Sequence, residues 1–345
     1  MSRRKPKSKK GRRRGAGTFL LLVLVLLAGA GGAAWLVEMP FGPEAETFVE
    51  IAPGSSTVHI GRQLEEVGII RSRYAFDLLR WIQRGRLKAG EYRFDHPAPA
   101  WEVYARIARG DVYTRTVVVP EGANVFDIEA RLQKAGLKAG QNFVEEQGKE
   151  TSLIADLDPN AKSLEGYLFP DTYRFQRSAT PAQVCAAMVR RFREAAAEIG
   201  LKENVHQVVT IASLVEKETA INAERPLVAS VFNNRLAENM PLMTDPAVIY
   251  GLELEGKWRG TIYQSDLKRD TPYNTYLHTG LPPGPVANPG LPSLKAAMSP
   301  AHTNYLYFVA SGANPQGKSL FASTLEEHAR NVSGYRKAMK KAGVR

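Results

Sequence analysis

Val208-Val-Thr-Ile-Ala-Ser-Leu-Val-Glu-Lys-Glu-Thr219 is the stretch from which the rest of the chain is best read. Neither glycine nor proline interrupts it, and an apolar run leads into a glutamate pair, so the pattern predicts a helix with one buried face. At about 100° per residue, Glu218 lies about 20° from Ile211 and about 40° from Leu214, and Glu216 holds the same offsets from Val209 and Ala212. Both carboxylates therefore sit on shoulders of the apolar face. Ser213 and Lys217 turn away from it, which argues against a serine/lysine dyad. A carboxyl crowded by apolar atoms loses hydration, and its pKa rises toward the range that a general acid needs. The bulkier neighbours favour Glu218 as that acid, with Glu216 the alternative. The competing reading of Glu-Lys-Glu is the polar end of a surface helix.

Four further segments accompany this helix: Val228-Ala-Ser-Val-Phe-Asn-Asn-Arg-Leu236, Thr244-Asp-Pro-Ala-Val-Ile-Tyr-Gly251, Tyr273-Asn-Thr-Tyr276 and Gly280-Leu-Pro-Pro-Gly284. With Ala212–Ala220, in this order and spacing, they resemble the YceG-like family, whose members are endolytic murein transglycosylases. The resemblance runs from the N-terminal apolar segment to the C-terminus. It implies that Glu218, which matches the second glutamate of the family's Glu-Lys-Glu, is the catalytic residue. Glu218-Thr219 also resembles the Glu-Ser or Glu-Thr pair of other lytic transglycosylases. The implied substrate is the glycan strand of peptidoglycan, cut at the MurNAc–GlcNAc β-1,4 bond to leave a 1,6-anhydroMurNAc end. The reaction needs no metal or organic cofactor. A LysM-like region ahead of the catalytic domain and work beside penicillin-binding proteins or other cell-wall synthases are implied as well.

From Phe19 to Val37 the chain carries no charged residue, a length sufficient to cross a hydrocarbon core of about 30 Å. Ahead of it stand Arg3, Arg4, Lys5, Lys7, Lys9, Lys10, Arg12, Arg13 and Arg14. Positive charge stays on the cytoplasmic side, so one transmembrane helix in the inner membrane is expected, with the body of the protein periplasmic. Ala28-Gly29-Ala30 offers a cleavable-signal alternative, but the apolar run continues past it. The tail holds nine of the formal +11 charges, leaving +2 for the rest, which removes the main support for a nucleic-acid partner. Cys185 is the only cysteine, so no intramolecular disulfide forms, and its place in a helix expected over Val184–Ala197 suits a buried, inert thiol.

The expected architecture is α+β. A basic tail (residues 1–18) and a transmembrane helix (19–37) precede a small LysM-like α/β region (38–160), then a mixed α+β catalytic domain (161–345). Met39-Pro-Phe-Gly-Pro43 reads as a stiff exit linker. Within the LysM-like region, Phe48-Val-Glu-Ile-Ala-Pro-Gly54 and Thr116-Val-Val-Val-Pro-Glu-Gly122 each lead from a β-rich run through a turn into an amphipathic helix, an internal repeat. Such a module either binds glycan or acts as a spacer. Gly90–Phe94 reads as a strand, Trp101–Arg109 as a helix, Tyr305–Ala310 as a buried strand and Leu325–Lys341 as a closing helix with a basic, solvated face.

Aromatic faces suit the C–H surfaces of sugars, and carboxylates or amides bind their hydroxyls. Glu165 and Tyr167 are thus candidates for a cleft wall, with Phe169 and Tyr173 expected in the core. Tyr273, Asn274 and Tyr276 open a long Pro/Gly-rich loop, a length that is usually functional. Thr219 and Asp245 complete the candidate glycan contacts. The six histidines lack zinc-ligand spacing, and neither a phosphate-binding loop nor a Gly-x-Ser-x-Gly elbow occurs. Two rival readings remain. A hydrolytic muramidase needs a second carboxylate, for which Asp245 and Glu224 are available. A non-catalytic peptidoglycan-binding scaffold for wall synthases needs the N-terminal module more than Glu218.

Overall fold

Helix α1 (Arg12–Glu38) opens the described part of the chain, which in this computed structural model comprises residues 12–312, 314 and 317–343. Most of the basic tail lies outside the described residues. The stretch Gly17–Glu38 is 22 residues long and holds an 18-residue window of mean hydropathy 2.5, none of it buried by protein. It is long and apolar enough to span a membrane.

The chain divides between Thr114 and Arg115 into two compact units. In the first, β1 (Thr47–Ile51) pairs antiparallel with β2 (Gly90–Phe94), Val49 opposite Tyr92. Between the strands lie α2 (Thr57–Glu66) and α3 (Arg73–Gln83), whose N-termini are capped by the hydroxyls of Ser56 and Ser72. α4 (Ala100–Arg109) follows, ending at Gly110 in the left-handed conformation that glycine tolerates. Ile51, Leu64, Phe76, Tyr92, Tyr104 and Ile107 meet in one core, against which Val37 of α1 also packs. Phe41 and Ala98 exchange two backbone hydrogen bonds of 3.1 Å, so the exit segment is fastened to this unit.

In the second unit, β3 (Arg115–Val118) pairs antiparallel with β4 (Thr172–Phe175), Val117 opposite Tyr173. Residues 115–160 consequently share the core of this unit instead of joining residues 38–114. The reason is the ladder: the second copy of the repeat finds its partner strand beyond position 160. α5 (Val125–Lys134) begins with a capping box between Asn124 and Asp127, and the short α6 (Phe143–Gln147) follows. α7 (Pro181–Glu198) begins with a second capping box, Thr180 and Gln183, and a proline at its first position. α8 (Val205–Glu218) packs against α9 (Arg225–Ala237), α10 (Asp245–Leu254) and α11 (Leu291–Met298). β5 (Tyr307–Ala310) and β6 (Ser319–Ala322) form an antiparallel pair, and α12 (Leu325–Lys341) closes the chain.

α8 is buried at every position from Val209 to Val215, Thr210 and Ser213 included. Ser213 is therefore inside, not turned away as helical phase alone predicts. Its hydroxyl donates to the Thr210 carbonyl at 2.7 Å and accepts from the Val286 N–H at 3.1 Å. Lys217 is exposed and reaches the Gly122 carbonyl at 3.3 Å, so the two do not form a dyad. Cys185 is fully buried, and burial pushes its thiol up to about 12, which makes it inert.

One glycine fixes the approach of the Pro/Gly-rich loop to α8. Gly166 has φ +89°, and a Cβ there would lie 2.5 Å from Pro285 Cγ and 2.7 Å from Val209 Cγ1. Gly166→Ala should cost at least about 2 kcal/mol through strain and overlap. Thermal denaturation checks this; an unchanged melting temperature would mean that the loop does not sit on α8 this closely.

Candidate active site

α8 ends at Glu218, with Thr219 as its C-cap in extended conformation. Residues two apart on a helix do not share a face, and the two glutamates diverge accordingly. Glu216 turns inward. Its carboxylate accepts from Arg225 Nη2 at 2.8 Å and from the Gly290 N–H at 3.0 Å, with both charged side chains only 5% exposed. Glu218 instead lines a cleft of about 430 Å³ together with Arg235, Asp245, Tyr276, Tyr307 and His328. Such a volume lies within the usual range of small-molecule sites.

Loss of hydration pushes the Glu218 carboxyl up to about 7, and the neighbouring negative charge of Asp245 pushes in the same direction. The Thr244 hydroxyl and the Arg235 guanidinium partly offset this. Near neutral pH the group is therefore poised between acid and carboxylate. Asp245 stands at the first position of α10, where its carboxylate accepts from the Tyr276 hydroxyl at 2.7 Å. Burial of the ring, and then that bond, raise the Tyr276 phenol well above its ordinary value.

Arg235 is held by the carbonyls of Leu306 (2.7 Å) and Leu242 (2.8 Å) and lies over the Tyr307 ring at 5.3 Å. Tyr307 in turn stacks on His328, centroids 5.1 Å apart. Burial, with the Arg235 charge, lowers the His328 pKa, so its ring is neutral at physiological pH. The His328 Nδ1 is buried and makes no hydrogen bond among the described residues. Met243, also in the wall, adopts φ 54°, a left-handed conformation costly for a residue with a Cβ.

Of the residues singled out in the sequence, the structure brings Glu218, Asp245 and Tyr276 together and puts the other five elsewhere. Glu165 is wholly buried: it accepts from the Val125 N–H (2.9 Å) and from Asn288 Nδ2 (2.7 Å), and burial pushes its carboxyl up to about 8. Tyr167 is in the core, donating to Asp158 at 2.6 Å and meeting Phe192 edge to face. Neither forms a cleft wall, because the turn that carries them is drawn inward by Asn288, which accepts from the N–H groups of Gly166 and Leu168, both at 2.9 Å. Thr219 bonds to Glu224 (3.4 Å) and to the Ile221 N–H (3.1 Å). Tyr273 packs edge-on against Tyr250. Asn274 is fully buried, bracing its loop through the carbonyls of Leu267 (3.0 Å) and Arg269 (2.7 Å) and the Tyr276 N–H (3.0 Å). Glu224 accepts from Ser319 and is not in the cleft.

Arg235, Tyr307 and His328 received no role from the sequence. The arginine at the end of Val228–Leu236, one of the segments that carry the family resemblance, was the available signal for the first. Tyr307 was placed in a buried strand, but the strand is half-buried because its tyrosine and Phe308 face the cleft.

Asn274→Ala should therefore destabilise by about 1–3 kcal/mol, the cost of stranding buried partners. Tyr276→Phe should stay within about 1 kcal/mol of the parent. Chemical denaturation of both variants checks the contrast, and equal stabilities would return Asn274 to the surface.

A model of the YceG-like family matches residues 49–334. The endolytic murein transglycosylase of Bacillus subtilis is 34% identical over 301 residues, covering 81% of this chain and 82% of the relative. That of Streptococcus pneumoniae is 32% identical over 321 residues, covering 83% of this chain but 57% of the longer relative. Among solved structures, a YceG-like protein from Listeria monocytogenes matches with a TM-score of 0.53 at 32% identity, covering 84% of this chain and 99% of that one.

Proposed function

The chain belongs to the YceG-like family, and from that premise and the cleft geometry we propose that it is an endolytic peptidoglycan lytic transglycosylase with Glu218 as both general acid and general base. The observation that carries this is a single desolvated carboxyl, poised near pH 7, in a cleft walled by aromatic rings. In the proposed reaction, protonated Glu218 delivers its proton to the glycosidic oxygen between MurNAc and GlcNAc as the C1–O bond breaks. The carboxylate then accepts the proton of the MurNAc C6 hydroxyl, whose oxygen closes on C1. The products are a free GlcNAc hydroxyl and a 1,6-anhydroMurNAc end; no water is consumed and Glu218 returns protonated. Asp245 and Tyr276 are the proposed contacts to sugar hydroxyls, and in this reading the Asp245 charge keeps Glu218 basic enough for its second task.

Asp245 also supports a second reading. A hydrolytic muramidase needs another carboxylate in the cleft, and Asp245 is there. Mass analysis of products from purified peptidoglycan decides between them, since an anhydro end is one water lighter than a reducing end. The proposal requires anhydro ends; reducing MurNAc would sink it in favour of hydrolysis.

Glu218→Gln removes the titrating proton, and strand cleavage should fall at least about 100-fold. Glu216→Gln should act through stability instead, since it removes the 2.8 Å partner of the buried Arg225 and leaves only Glu121 at 3.7 Å. Because the acid form is needed first, kcat/KM should fall as pH rises through about 7. Asp245→Asn removes the charge that favours the proton on Glu218, so the descending limb should move to lower pH. An unmoved limb would mean that the titrating group is not Glu218.

The remaining parts of the reading concern placement. The LysM-like module is taken to be the first unit, supported by its own core between β1 and β2. The protein is proposed to be single-pass in the inner membrane, N-terminus cytoplasmic and catalytic unit periplasmic, near penicillin-binding proteins. A reporter active only in the periplasm, fused after Arg345, should be functional; a silent reporter in cells that make the full-length fusion would reverse the orientation.

A further inference from the structure

α3 presents an apolar face that its own unit leaves uncovered. Tyr74, Leu78, Trp81 and Ile82 fall within an arc of about 100° on the helix. Trp81 is 72% exposed, Tyr74 67% and Ile82 60%. The opposite side carries Phe76 and Leu79 into the core, so α3 is apolar on two faces and only one is accounted for.

What covers the other face is indicated by its neighbour. α3 and α4 both pack against α1, the helix long and apolar enough to span a membrane. The last turn of α1 is part of the fold: Val37 packs on the core, and Arg71, just before α3, lies over the rings of Trp35 (4.4 Å) and Phe41 (4.7 Å). The start of α3 is therefore level with the end of the apolar helix. Trp101, at the start of α4, is exposed as well, so exposed tryptophans stand on each of the three helices. Tryptophan and tyrosine favour the membrane–water interface. Arg84 and Arg86 follow directly on the C-terminal end of α3, next in the chain to Trp81 and Ile82; arginines at the end of an apolar helix face suit anionic headgroups.

We infer that the Tyr74–Leu78–Trp81–Ile82 face of α3 is seated in the headgroup region of the bilayer that α1 enters. It rests on α1 being a membrane span and is independent of the glycan chemistry. Its consequence is that the first unit lies down on the lipid surface, held at a second point besides the span.

Site-directed spin labelling of the full chain tests this. Cys185→Ala supplies the background, and single cysteines at positions 74, 78, 81 and 82 are compared with Leu24→Cys on the apolar helix and Lys202→Cys on an exposed loop. The protein is reconstituted in vesicles of zwitterionic and anionic phospholipid. Labels on the α3 face should be relaxed by oxygen and shielded from a water-soluble nickel chelate, as at position 24. Labels as accessible to the chelate as that at position 202 would overturn the inference. Labels shielded from both reagents would also overturn it, assigning the face to a protein partner or a second copy. A chelate-accessible label at position 24 would instead remove the span itself, a failure distinguishable from the others.

Discussion

The buried ion pair between Glu216 and Arg225 fixes the end of the central helix, and the site depends on it. Taking both charges out of water is costly, and such a pair persists only where the remaining hydrogen-bonding capacity is also met. Here the Gly290 N–H supplies a second donor to the same carboxylate. α8, α9 and the first residue of the Gly290–α11 junction are thereby locked at one point. Two residues on, Glu218 has no freedom to follow Glu216 inward, because helical geometry sends it to a different face. It emerges desolvated but without an ion pair among the described residues, the combination that raises a carboxyl pKa.

A second brace lies beneath the first. Asn288 uses every polar atom of its side chain: the amide donates to Ala123 and Glu165, and the oxygen accepts from Gly166 and Leu168. Three chain segments distant in sequence meet there. The long irregular loop is thus not mobile by composition. Its prolines remove donors that would need partners, and the side chains of Asn274 and Asn288 are spent inside the fold. This explains why aromatic and polar residues of the Leu164–Tyr173 turn, attractive as sugar contacts from the sequence, are structural.

Local rules carried the sequence reading far. The capped α7, the closing α12 and the strand at Gly90–Phe94 follow from caps, breakers and periodicity within about ten residues. The family resemblance and the apolar shoulder of α8 both pointed to Glu218. What escaped was set by partners at long range. Helical phase alone put Ser213 outside, yet α11 and the Pro/Gly loop cover that flank. Asn274 and Tyr276 look alike as loop residues, and only the fold shows that one braces the loop while the other faces the cleft. The boundary near residue 160 fails to register in the fold because β3 pairs with a strand that no local signal ties to it.

Position along helices sets the surroundings of Glu218 and Asp245 apart. Burial and the Asp245 charge raise the pKa of Glu218, and its place in the last turn of α8 adds the negative end of the helix dipole, which also disfavours a carboxylate. Asp245 stands in the first turn of α10, exposed, at the end of a helix that favours an anion, and with a phenol donating to it. The two carboxyls of one cleft thus sit in opposite surroundings, and it is burial at the end of α8 that lifts Glu218 to about 7. A carboxylate at the end of α8 faces both the dipole and its own desolvation, whereas one in the first turn of α10 faces neither.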